Sequence, residues 1–87
     1  MSVHKDISNH LDQKNRIVRM FVKLDQKREE LIDEAVKRCR ENEPISVDEI
    51  NDVTTEINEL AREGVVPPRK HVTKDMIEEY TEKKYGR

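Results

Sequence analysis

The chain has no tryptophan, a single phenylalanine (Phe21), one cysteine (Cys39), two glycines and three prolines in 87 residues. Each scarcity excludes something. With one cysteine there is no internal disulfide and no cysteine-rich metal site. With glycine only at 64 and 86 there is no glycine-rich phosphate loop. With aromatics at 3%, a core must be assembled from Ile, Leu, Val and Ala. No run is apolar enough, over the roughly 18 residues needed, to cross a bilayer. The first residues, Met1 to Asp6, lack the apolar stretch of a signal peptide, and Ser2 rules out myristoylation. A cytoplasmic setting is the expectation.

What is present is charge, at 41% of residues, against 33% hydrophobic. That composition admits disorder as a rival. The net charge of only −2 and the helical spacing of the apolar residues argue for a folded chain. One domain over residues 1–87 is expected. A core of this size supplies only about 3–5 kcal/mol, so oligomerisation is the expected support.

No glycine or proline occurs from Met1 to Glu43. Val3, Ile7, Leu11, Ile17, Val18, Phe21, Leu24, Leu31, Ile32, Ala35, Val36 and Cys39 recur at three- and four-residue steps, as on one face of a helix. A helix from near Ser2 or Ser8 to about Asn42 is predicted, stopped by Pro44. Its weakest stretch, residues 10–15, is a place for a kink. Ser46 to Glu49 reads as a capping box, with Ile45 and Ile50 as its hydrophobic staple. A second helix from about Val47 to Glu63 follows, ending at a left-handed Gly64. Pro67 and Pro68 then enforce an extended connector from Val65 to Thr73, with Val65 and Val66 packed against a helix. That connector could serve as a recognition segment; placing the next helix is the reading favoured for it. Thr73 caps a third, short helix, with Val72 and Ile77 as a second staple and Met76, Ile77 and Tyr80 as its apolar stripe. The Lys83–Arg87 end is expected to fray. The fold class is therefore all-α, with a long N-terminal helix, an antiparallel second helix and a short third helix after the Pro-Pro connector.

The lengths do not match. At 1.5 Å per residue the first helix spans roughly 55–60 Å and the second roughly 25 Å. The N-terminal half of the first helix is left to be covered by the third helix or by another subunit. Charge leans the same way. Residues 1–24 hold Lys5, Lys14, Arg16, Arg19 and Lys23 against Asp6 and Asp12, whereas the second helix holds Asp48, Glu49, Asp52, Glu56, Glu59 and Glu63 against Arg62. Basic and acidic halves that do not readily meet in one hairpin could meet across a dimer.

Candidate chemistry is thin. His4 and His10 fall nearly opposite one another on a helix, and no H-x-x-x-H or C-x-x-C occurs. Cys39 lies on the apolar stripe, as a small hydrophobe does. Glu29, Glu30, Asp33 and Glu34 form a solvated face with i,i+4 partners in Lys37 and Arg38. The expectation is a protein that is not an enzyme and needs no metal or cofactor. Nucleic-acid binding through Lys14, Arg16, Arg19 and Lys23 is the alternative, opposed by a pI near 5.9 and by Glu78, Glu79 and Glu82 on the third helix. The leading expectation is a non-enzymatic helical interaction module. It would be a homodimer or other homo-oligomer, joined through Ile17, Phe21 and Leu24, with an unidentified protein as a further possible partner and no membrane. A fully buried Phe21 ring would make Phe21→Ala cost about 3–5 kcal/mol.

Four stretches carry a resemblance: Val3-His4-Lys5-Asp6-Ile7-Ser8, Leu24-Asp25-Gln26-Lys27-Arg28-Glu29, Ile57-Asn58-Glu59-Leu60-Ala61 and Val66-Pro67-Pro68-Arg69-Lys70. Together they resemble the YpbS-like family of short uncharacterised proteins from Bacillus and its relatives, over nearly the whole chain. The resemblance implies a cytoplasmic bacterial protein of unknown function. It brings no activity, cofactor or site residue with it.

Overall fold

The apolar seam of the first helix sets the architecture. In the computed structural model, which describes residues 2–86 and their side chains from Asp12 onward, the chain forms α1 (Ser2–Arg40), α2 (Asp48–Ala61) and α3 (Lys74–Tyr85). Among the described residues there is no strand. Helix α1 runs without interruption through residues 10–15, the stretch singled out as its weakest. At 39 residues it is about 58 Å long, and the whole molecule measures 62 × 18 × 17 Å. The side chains of Val3, Ile7 and Leu11 lie outside the described ones. None of the helices, over the described residues, is long and apolar enough to cross a membrane.

Helix α1 ends at Arg40, four residues before Pro44. Asn42 adopts the left-handed conformation (φ 58°). The Glu43 amide donates to the Arg38 carbonyl at 2.9 Å and the Asn42 amide to the Cys39 carbonyl at 3.2 Å. This is a Schellman closure with asparagine in the place usually held by glycine. Gly64 has the left-handed φ (78°) expected for it, after a last turn tightened by i→i+3 bonds from Arg62, Glu63 and Gly64.

Helix α2 starts one residue later than the sequence suggests. Val47 is its N-cap and makes no side-chain cap; the Ser46 hydroxyl accepts instead from the Asp48 amide at 3.3 Å. The capping box is therefore not formed. Ile45 and Val47 both turn inward against Ile50, and that burial moves the helix start to Asp48. The acidic pair Asp48 and Glu49 then occupies the first turn, where the helix dipole favours it.

The two shorter helices pack on the C-terminal half of α1. Ala35, Val36, Ile50 and Ile77 form the central cluster, with Leu31, Ile32, Cys39, Ile45, Val47 and Val72 against it. Helix α2 is antiparallel to α1, because Ile50 meets Ala35 and Val36 while Leu60 shares a groove with Leu24. Helix α3 runs alongside α1, from Ile77 near Val36 to Tyr85, over which the Arg40 guanidinium lies at 3.9 Å.

The cap of α3 is as the sequence indicates, with the Thr73 hydroxyl accepting from the Met76 amide at 3.2 Å. Its inward face is not. Met76 and Tyr80 are exposed, and Ile77 and Thr81 are buried. Threonine can take that place because its hydroxyl donates to the Ile77 carbonyl at 2.7 Å, leaving only its methyl to be packed. Thr54 does the same toward Ile50 in α2. Residues 83–85, where fraying is expected, are helical. The Arg40–Tyr85 stack and the left-handed Gly86, whose amide donates to Glu82 at 2.8 Å, hold the last turn.

Ile50 and Ile57 are the largest apolar side chains removed from water, at 1% and 0% exposure. Ile50→Ala should lower stability by about 2–5 kcal/mol, because the surrounding cluster cannot collapse into the void. Urea titration followed by circular dichroism measures it.

Candidate functional site

Along α1 a 3–4 alternation picks out Val18, Phe21, Asp25, Arg28, Ile32, Ala35 and Cys39, the spacing of a helix that packs on a neighbour along one seam. Two of these positions are charged. Asp25 and Arg28 break the apolar run, and the connector 65–73 covers them. It returns along α1 as an extended strap, with Val66 buried.

The strap is bound by side chains from both helices. The Arg69 fork donates to both Asp25 oxygens, Nε at 2.9 Å and Nη2 at 3.2 Å. Arg28 donates through Nη2 to the Lys70 carbonyl at 2.7 Å and through Nε to the Thr54 hydroxyl at 2.8 Å. From α2, Asn58 accepts the Arg69 amide at 2.9 Å. Asn51 grips Val72 at two points, accepting its amide at 2.8 Å and donating to its carbonyl at 2.9 Å. Thr55 and His71 Nε2 share a hydrogen bond at 3.0 Å. Pro67 and Pro68 have no amide hydrogen to satisfy, which shortens the list of donors a strap must place. Among the described side chains, no buried nitrogen or oxygen lacks a partner.

The charges in this cluster tune one another. Arg69, donating directly to Asp25, holds that carboxyl below its usual value; burial works against this, and the charges of Arg69 and Arg28 add to it. Burial pushes the Arg28 guanidinium down, while Asp25 draws it back up and Arg69 opposes that. The hydrogen bond to Asp25 raises Arg69. Arg69 also lies 5.1 Å from the centre of the Phe21 ring. Phe21 is thus half-buried under its own chain's strap, and the full-burial cost of losing its ring is an upper bound.

The sequence reading singled out neither Asp25, Arg28 nor the α2 residues Asn51, Thr54, Thr55 and Asn58. A signal was present. Those four α2 positions fall at i, i+3, i+4 and i+7, a polar ridge built from residues of poor helix propensity.

The proposed association residues separate. Leu24 lines an open groove with Met20 and Lys23 of α1 and Glu56, Glu59 and Leu60 of α2. Ile17 is half-buried just beyond that groove, and Phe21 faces the strap. Val18, Met20 and Val22 are 41%, 47% and 54% exposed. The basic residues Lys14, Arg16, Arg19 and Lys23 are all exposed but do not form one patch. On a continuous helix Arg16, Arg19 and Lys23 fall within about 60° of each other, and Lys14 about 180° from Lys23. Lys23 shares its groove with Glu56 and Glu59. Basic and acidic halves therefore do meet within one hairpin, contrary to the expectation from the sequence. The antiparallel packing carries the acidic end of α2 back to the basic stretch of α1. Among the described residues, no group of three or more His, Cys, Asp or Glu side chains stands close enough to hold a metal ion.

The Asp25–Arg69 pair generates a pH dependence. The Asp25 carboxyl is lower in the folded chain than in the unfolded one. Its contribution is present in full above the unfolded value of about 3.9 and is lost as pH falls through the folded value. Denaturation midpoints taken between pH 6 and about 2.5 should fall more steeply for the parent chain than for Asp25→Asn. Arg69→Ala should cost about 1–3 kcal/mol at neutral pH, since it strips a partly buried carboxylate of its fork and frees the Phe21 face.

Residues 1–83 match the family described as "Protein of unknown function (DUF2533)". The chain is 44% identical over 78 residues to the uncharacterized protein YpbS of Bacillus subtilis (strain 168), covering 90% of this chain and 92% of that one. No solved structure matches. A match over nearly the full length, together with this relative, shows that the chain belongs to the DUF2533 family.

Proposed function

We propose that this protein is a non-enzymatic helical interaction module whose copies associate through the part of α1 that its own α2 leaves uncovered. The observation that carries the reading is the run Ile17, Val18, Met20 and Val22. Three of these are exposed at 41–54% on a helix that continues past the end of α2. Helix α2 has 14 residues against the 39 of α1, so one hairpin arm cannot sheathe the other. At about 100° per residue the four apolar residues form two strips on nearly opposite sides of the helix, Ile17 with Met20 and Val18 with Val22, and an exposed apolar strip favours a partner surface over open water. The carboxylates Glu29, Glu30, Asp33 and Glu34 are all exposed, as on a solvated face. A cytoplasmic setting belongs to the same proposal, since Cys39 has no second cysteine in the sequence to pair with.

The rival reading, weak nucleic-acid binding by Lys14, Arg16, Arg19 and Lys23, has less support. Its four residues are split across α1, and one of them faces carboxylates.

Sedimentation velocity from about 1 to about 100 μM should show the mass rising from the 10.3 kDa chain toward twice that value. Met20→Glu should hold it at the monomer with helix content unchanged. A parent chain that stays monomeric throughout overturns the reading. Retardation of nucleic acid that weakens steeply with salt would favour the rival.

A further inference from the structure

The groove between the end of α2 and α1 has a specific composition. Its floor is apolar, from Met20, Leu24 and Leu60, and its acidic rim is Glu56 and Glu59, with Lys23 on the α1 side. Glu59 also meets Arg62 at 3.5 Å on an open surface, a contact with little hold on it. One α-helical turn N-terminal to Met20 on α1 the chain carries Arg16, and beside Met20 it carries Arg19, both exposed.

We propose that this groove is occupied by the same stretch of α1 from a second copy, lying antiparallel, with Met20 of each copy near the two-fold axis. The inference rests on the self-association reading and gives it a surface and an orientation. Charge complementarity selects the occupant. An antiparallel helix centred on residue 20 places residue 16 of one copy level with residue 24 of the other. Arg16 and Arg19 of the second copy then come beside the Glu56–Glu59 rim, while Ile17 and Met20 meet the Met20–Leu24–Leu60 floor. The two-fold repeats each contact, so the same four charges act twice.

Charge reversal tests this without identifying any further ligand. One variant carries Glu56→Lys with Glu59→Lys, and the other Arg16→Glu with Arg19→Glu. All four positions are exposed, so helix content should be retained and is checked by circular dichroism. Each variant alone should self-associate on the order of tenfold or more weakly than the parent, because like charges face each other at both contacts. Mixed, the two should form a heterodimer of parental affinity, since both contacts then pair opposite charges. Fluorescence transfer between separately labelled variants reads this. Change of charge within one chain cannot produce an obligate heterodimer. Variants that self-associate as the parent does, or a mixture that fails to recover, overturn the groove while leaving self-association standing. A monomeric parent overturns both.

Discussion

The Arg69 fork on Asp25 is the contact around which the rest of the molecule is arranged. Without it the apolar seam of α1 would be interrupted at residue 25 by a carboxylate that has lost its fork. A hairpin of α1 and α2 alone would leave Asp25 facing a half-wet gap and Arg28 with only its Thr54 contact. The strap fills that gap with complementary groups, so the interruption becomes an attachment point. Removing one partner of such a set leaves the others desolvated and unpaired, which is why its members depend on each other more than on any single bond.

The strap in turn fixes where α3 can go. Val72 leaves the grip of Asn51 and packs against the same cluster as Ile77. The short third helix, with few apolar residues of its own, is delivered to the end of α1 already oriented. Threonine rather than a larger residue completes its buried face, because Thr81 answers its own hydroxyl within the helix. The cluster of Ala35, Val36, Ile50 and Ile77 is small, and its neighbours are half-exposed. A core so limited is in keeping with a chain that draws on polar attachment for definition.

Much of this was legible in the sequence, and the exceptions have physical causes. Three helices, their order and their approximate ends follow from the 3–4 spacing, Pro44, Gly64 and Thr73. The missed details are places where burial overrode local chemistry. Ser46-Val47-Asp48-Glu49 has the letters of a capping box, but Val47 was drawn inward with Ile45 and shifted the start. Met76 and Tyr80 look like core residues by hydropathy, yet the face that meets α1 is the one bearing Ile77 and Thr81. The strap contacts were harder still. They join residues 25 and 69, or 28 and 70, and nothing local in either segment announces the other. Of the candidate surface, the uncovered length of α1 could be read from helix lengths alone. The acidic rim that α2 brings to it required the register of the hairpin.

From Pro67 the strap runs without helix or strand, and no sheet occurs among the described residues, which has a consequence for how copies of the chain behave when crowded. An open strand offers neighbours a row of free donors and acceptors, a template for unwanted pairing. Here two successive positions, Pro67 and Pro68, offer no donor, and the amides of Arg69 and Val72 are already taken by asparagine side chains. At those two positions the asparagines stand in for a neighbouring strand and withhold the amides from another molecule.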